Sequence, residues 1–137
     1  ESAMQQLKTF FPEMQGSWTA TQALPGGENM ESVEQLMQEI RAQVTDASEA
    51  LAKRWASAYG SRVWNVLGEI TSVQQLGQHI GHGLYANEVD YLCDIEWATT
   101  SQDILWRRSK LGLSFTQKET EALDAYLTVK THSTEAA

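Results

Sequence analysis

The sequence predicts an all-α fold, a compact orthogonal bundle of about six short helices. Three observations predict it. Apolar residues recur at helical spacing, and no sustained alternation of period two appears. Hydroxyl starts and glycine stops divide the 137 residues into segments of helix length. Hydrophobic residues make up 42% of the chain, enough for one core, yet no apolar run approaches the ~20 residues that span a bilayer.

The elements follow in order. Residues 2–9 read as a helix through Ala3, Met4 and Leu7, stopped by Pro12 after Phe10-Phe11. Gly16 to Asn29 is the longest loop, with a turn at Leu24-Pro25-Gly26-Gly27. Ser32 opens a helix, with Gln35 at the capping-box position and Val33, Leu36, Met37, Ile40 and Val44 as its stripe. Asp46 is expected to cap a third helix whose apolar face is Ala47, Ala50, Leu51, Trp55 and Ala58. Ser61 restarts a short helix through Val63, Trp64, Val66 and Leu67, which Gly68 stops. Ser72 opens a turn with Val73 and Leu76, and Gly77, Gly81 and Gly83 break up the region of His79 and His82. From Ala86 to Trp97, Val89, Leu92 and Cys93 lie at helical spacing, with Glu88, Asp90, Asp94 and Glu96 expected largely opposite. Thr100 or Ser101 caps the next helix, which carries Ile104 and Leu105 inward and a buried Trp106, and ends near Lys110. Thr116 and Glu119 make a capping box for a last helix bearing Leu123, Tyr126, Leu127 and Val129.

Charge narrows the function. Ten Lys plus Arg against 18 Asp plus Glu give a net charge of −8, which argues against nucleic acid as a partner. The excess is uneven: residues 1–50 carry two basic and eight acidic side chains, while residues 51–137 carry eight and ten. The second half therefore holds most of the cations. The single cysteine, Cys93, suits a reducing compartment and reads as a buried, inert thiol. No signal-peptide pattern appears, and a start without Met inside a helical pattern fits a piece cut from a longer protein.

Few residues invite a chemical role. His79 and His82 are three apart, but no further ligand lies at metal spacing, so structural roles are expected and no metal. Gly26-Gly27 lacks the rest of a phosphate loop and reads as a turn. Arg107, Arg108 and Lys110 form the tightest cationic cluster. Helix-end pairing with acids such as Glu88, Asp94 or Glu96, or with a neighbouring domain, comes before an anionic lipid or small anion. Adjacent arginines cannot share a helix face, so one should point inward. Of the five tryptophans, Trp18 stands near the loop boundary, where the intact protein could cover it. No catalytic residue is assigned.

Several segments carry a resemblance. They are Trp18 with Leu24-Pro25-Gly26-Gly27, then Leu51-Ala52-Lys53-Arg54-Trp55, Tyr59-Gly60-Ser61-Arg62-Val63-Trp64 and Leu67-Gly68. Gly81-His82-Gly83-Leu84-Tyr85-Ala86, Glu88-Val89-Asp90-Tyr91 and Glu96-Trp97-Ala98-Thr99-Thr100 follow. The most specific is Asp103-Ile104-Leu105-Trp106-Arg107-Arg108-Ser109-Lys110-Leu111-Gly112-Leu113. From about residue 18 to 128 the chain resembles the C-terminal helical domain of FAD-dependent glycerol-3-phosphate dehydrogenases, in wording closest to bacterial quinone-linked members. The resemblance implies a parent that oxidises glycerol 3-phosphate to dihydroxyacetone phosphate, passing hydride to FAD and electrons to quinone. It implies a cytoplasmic parent peripherally associated with the inner membrane, able to form a homo-oligomer.

The flavin fold and substrate groups of such enzymes lie upstream, so no FAD-contacting residue is carried over and no cofactor is expected in this fragment. Residues 1–17 are then the end of the preceding flavin domain or a linker helix, with room for a tag remnant at the start. Residues 18–130 form the helical domain and 131–137 a frayed tail. Trp106, Arg107, Arg108, Lys110 and Trp18 are the residues expected to matter structurally or between domains, and the upstream FAD domain is the expected partner. Two rivals remain: an independent helical adaptor, and a helix-turn-helix DNA binder made of Ser101–Leu113 and Thr116–Lys130.

Overall fold

The computed structural model describes residues 2–135, with side chains through residue 130. The α-helices among them are α1 (Ser2–Leu7), α2 (Val33–Gln43), α3 (Glu49–Tyr59), α4 (Val63–Leu67), α5 (Ala86–Asp94) and α6 (Gln117–Glu135). A π-helix spans Asp103–Arg108, and short 3-10 turns fill the joints. One departure from all-helix is a two-stranded antiparallel hairpin, β1 (His79–Gly81) and β2 (Leu84–Tyr85). Its reversal falls on His82-Gly83, both at positive φ (45° and 75°), the geometry that matches strand twist in a tight hairpin.

The expected caps are present where donor and acceptor are close in sequence. The Ser32 hydroxyl accepts from the Gln35 amide at 3.0 Å. The Gln35 side chain, however, reaches forward to Glu39 rather than back, so that box stays half-formed. Ser72 and Gln75 form a complete box, and so do Thr116 and Glu119. Asp46 does not cap α3. Ser48 does, and the Asp46 carboxylate instead accepts from the Ser72 hydroxyl and the Val73 amide, 2.9 and 2.8 Å away.

Two apolar clusters make the core. The first joins α2, α3 and α4 through Leu36, Ile40, Trp55, Ala56 and Leu67. The second joins the hairpin, α5, the π-helix and α6 through Leu84, Leu92, Ile104 and Leu123. On α3 the buried alanines are Ala52 and Ala56, while Ala50 and Ala58 face out, so the helix is turned from the expected phase. α5 and α6 are also tied by Lys130, whose Nζ lies 2.9 Å from Asp90 and 3.1 Å from Asp94. Val129, expected inward, is exposed. The last helix continues to Glu135 and so takes in the first five residues of the expected frayed tail; residues 136 and 137 of that tail lie outside the described ones.

The loop that enters the domain is pinned to it. Gly27 N–H closes the expected turn onto the Leu24 carbonyl at 2.8 Å, and the Gly26 carbonyl accepts from the Ser61 amide at 2.8 Å. Gly60 sits at φ 54°, where a Cβ would overlap the Gly26 carbonyl. Gly60→Ala should therefore destabilise the domain by roughly 2–4 kcal/mol, from a left-handed side chain plus a backbone clash. Urea unfolding of the variant against the parent domain measures this.

Candidate functional site

A polar centre lies buried inside the molecule. Glu88 was expected on the outer face of α5 but is 1% exposed. Its position explains why: Glu88 precedes Leu92 by one helical turn and so lies at the edge of the buried stripe. A carboxylate offers about four acceptor positions, and four donors from α3 reach this one. Arg54 donates through Nη1 to Oε1 at 2.7 Å and through Nη2 to Oε2 at 2.6 Å. Trp55 Nε1 donates to Oε2 at 3.1 Å, and the Tyr59 hydroxyl to Oε1 at 2.6 Å. Arg54 Nη2 also donates to the Gly83 carbonyl at 2.7 Å, which draws in the hairpin.

Electrostatics follow from that packing. Burial, followed by the Glu88 charge and hydrogen bond, pushes the Tyr59 hydroxyl far up, so it stays a neutral donor. Burial alone would lower Arg54, but the Glu88 hydrogen bond and charge outweigh it and the guanidinium is held more firmly protonated. Tyr59 packs against both apolar clusters and meets Tyr91 edge-on at 5.8 Å. With every oxygen of Glu88 occupied, the arrangement has no free lone pair for proton transfer. It is a structural junction.

The cationic cluster does not converge. Arg107 pairs with Asp103 one turn back on its own helix. Arg108 turns to the end of α5, where Nη2 donates to the Glu96 carbonyl at 2.8 Å and Nε lies 3.5 Å from the Glu96 carboxylate. It is the better covered of the two arginines, as adjacency on a helix requires. Lys110 Nζ donates to the Trp106 carbonyl at 2.6 Å, at the carboxyl end of the helix, as the dipole favours. Of the expected acids, Glu96 takes Arg108, while Glu88 and Asp94 serve Arg54 and Lys130.

Trp106 is not buried. It is 45% exposed, with its indole laid over Gly112, where a Cβ would overlap the ring. The Ser109 amide bonds to the Ile104 carbonyl five residues back, a wider turn than the expected α-helix, and this rotates the tryptophan off the core. Trp18 is 56% exposed and lines a pocket of about 550 Å³ with Met4, Lys8 and Met14.

The other candidates resolve into local roles. His79 Nε2 accepts from the Gly83 amide at 3.2 Å, and His82 lies 3.6 Å from Glu119. Among the described residues no group of three or more His, Cys, Asp or Glu is placed to hold a metal. Cys93 is half-buried rather than fully buried, and burial pushes its thiol up. Among the described residues no parallel strand leads through a glycine turn into a helix, the arrangement that cradles a dinucleotide. The pocket of about 370 Å³ at the start of α2 is lined by Glu28, Glu31 and Glu39, the wrong charge for a pyrophosphate. No described helix is long and apolar enough to cross a membrane.

The fold defines a mostly helical domain built around the Arg54–Glu88 junction, in which Arg54 Nε is buried without a hydrogen-bond partner. Residues 17–134 match the family described as the C-terminal domain of alpha-glycerophosphate oxidase, and the chain belongs to that family. A glycerol-3-phosphate dehydrogenase of Pseudomonas tolaasii is 51% identical over 128 residues, and one of Pseudomonas aeruginosa 49% over 127. In each case the match covers 93% of this chain and 25% of the relative. The aerobic glycerol-3-phosphate dehydrogenase of Escherichia coli is 34% identical, over 82% of this chain and 23% of its own. The chain thus spans about a quarter of the length of the curated relatives it matches, so a larger upstream part of the same polypeptide is implied.

Sequence reasoning missed Glu88 as a core residue. The available signal was Arg54, a cation inside the Ala52–Trp55–Ala56 stripe of α3 that needs a buried partner. Glu88→Ala should cost about 3–5 kcal/mol by leaving Arg54 unpaired, and Tyr59→Phe about 1.5–3. Denaturant unfolding of each variant gives both values, and equal stability of Glu88→Ala and the unmodified chain would overturn the junction.

A second prediction concerns acid. The Thr100 hydroxyl, then the Arg107 guanidinium and the Thr99 amide, hold the Asp103 carboxyl well below the usual range. The Thr116 amide and hydroxyl lower Glu119. A depressed folded pKa contributes stability above the unfolded value of about 4, lost as pH falls through the folded one. Melting temperature should fall below about pH 4, and Asp103→Asn should flatten that fall in a pH series.

Proposed function

We propose that this chain is the C-terminal, non-catalytic domain of an FAD-dependent dehydrogenase that oxidises glycerol 3-phosphate to dihydroxyacetone phosphate and passes electrons to quinone. One observation carries the reading: a family match to residues 17–134, with two glycerol-3-phosphate dehydrogenases about half identical across nearly the whole chain. A D-erythritol 1-phosphate dehydrogenase of Brucella abortus is 36% identical, beside 34% for the Escherichia coli glycerol enzyme, and the glycerol reading follows the Pseudomonas pair at 49% and 51%. FAD belongs to the upstream part, which supplies the hydride chemistry. The parent is read as cytoplasmic and peripheral to the inner membrane.

Within this reading the domain is a scaffold. Residues 1–17, of which residue 1 lies outside the described ones, end the preceding domain or link to it, and Trp18 opens the helical domain; α1 buries none of its own residues, and Met4, Leu7, Phe10 and Phe11 are exposed. Arg107, Arg108, Lys110 and Trp106 set the path between α5 and α6.

The purified chain should carry no flavin absorbance and should not oxidise glycerol 3-phosphate with a dye acceptor. Mixing with the separately expressed upstream part should give a complex or faster turnover, and less of either with Arg108→Glu. Turnover by this chain alone would overturn the reading. Absence of any complex would point to an independent adaptor.

A further inference from the structure

Trp97 places a bulky, exposed side chain at a left-handed helix end, where glycine would close α5 with less strain. Its φ is 56°, a left-handed conformation that crowds any side chain and is an outlier for one this bulky. Its indole is nevertheless 83% exposed, so the turn buries Ala98 but not the tryptophan side chain that strains it. An exposed outlier of this kind is where a functional contact is sought.

The turn that carries Trp97 is rigid. Before it, the Ile95 amide donates to the Tyr91 carbonyl at 2.9 Å. After it, the Ala98 amide donates to the Leu92 carbonyl at 3.0 Å, and Ala98 itself is buried. Beside it, Arg108 holds the Glu96 carbonyl. Ile95 in the same turn, and Trp106 two residues from Arg108, are exposed as well. Rigid tryptophan beside arginine is the composition of interface centres, and a preformed anchor loses little freedom on docking.

The comparisons limit what can cover it. Three-quarters of each relative's length lies outside this chain, and that remainder is tethered at high effective concentration. Lipid is disfavoured: Arg107 and Arg108 are each paired with a carboxylate, and the chain carries −8 overall. We propose that Trp97 anchors this domain to the upstream part of its own polypeptide, entering an apolar pocket that offers an acceptor to the indole N–H. The proposal rests on the accessory-domain reading.

The test uses the full-length polypeptide and hydroxyl-radical footprinting read by mass spectrometry. Trp97 should be oxidised about tenfold more slowly in the native protein than in urea. Trp97→Gly suits the positive φ, so the domain keeps its own fold and melting temperature. The same variant should be nicked by protease about tenfold faster within residues 8–17, the segment that links to the upstream part, as the docking is lost. Trp97 oxidised at the unfolded rate, in a polypeptide that does oxidise glycerol 3-phosphate, overturns the anchor and leaves the accessory-domain reading standing. A full-length polypeptide without that activity overturns the reading itself. Protection lost on dilution to monomers assigns Trp97 to a second copy, and protection gained only with anionic vesicles assigns it to lipid; either result overturns the proposal.

Discussion

The fold depends on one buried carboxylate. Glu88 cannot remain charged inside the molecule unless donors surround it, and all four come from α3. Because Arg54 also holds the Gly83 carbonyl, the same contact sets α3, α5 and the hairpin at one mutual orientation. Apolar packing alone leaves such orientations loosely specified, since many rotations bury similar area. A directional network admits few. The two apolar clusters meet at Tyr59, whose ring belongs to both and whose hydroxyl binds Glu88. The junction therefore couples the clusters into one body, at a desolvation cost that limits its net contribution to stability.

What was legible in the sequence was local. Ser32, Ser72, Thr116 and Gly68 were readable because a cap and its partner lie within four residues. What was illegible was distant. Asp46 looks like a helix cap by position, yet its acceptors serve Ser72 and Val73, 26 and 27 residues on. Arg54 and Glu88 are 34 residues apart, and each alone resembles an ordinary surface charge. The phase of α3 was misread because alanines contribute too little apolar area to fix a face against Trp55 and Leu51. The hairpin escaped notice because its strands are too short to display alternation.

The cationic cluster shows the same limit within a smaller span. Its helix-end setting was readable, and Lys110 on the Trp106 carbonyl follows from it. The π-turn was not readable, since one extra residue per turn leaves the composition unchanged. That residue moves Trp106 off the core and aims Arg108 at Glu96. In the segment quoted as most specific for the family, Arg107, Arg108 and Lys110 are thus each taken up by partners within the domain.

The positive-φ residues divide by what they achieve locally. His82 and Gly83 form a turn that the hairpin twist requires, and Lys110 places its ammonium on a helix carbonyl. Each accounts for its backbone conformation within the domain. The φ of Trp97 likewise ends α5, letting the Ala98 amide reach the Leu92 carbonyl, but its side chain has no local account: the indole is exposed, and glycine would serve the same backbone better. A domain whose Glu88 carboxylate is fully engaged inside and whose fixed tryptophan is exposed has its order directed outward. In a chain a quarter the length of its relatives, that direction is toward the remainder of the polypeptide.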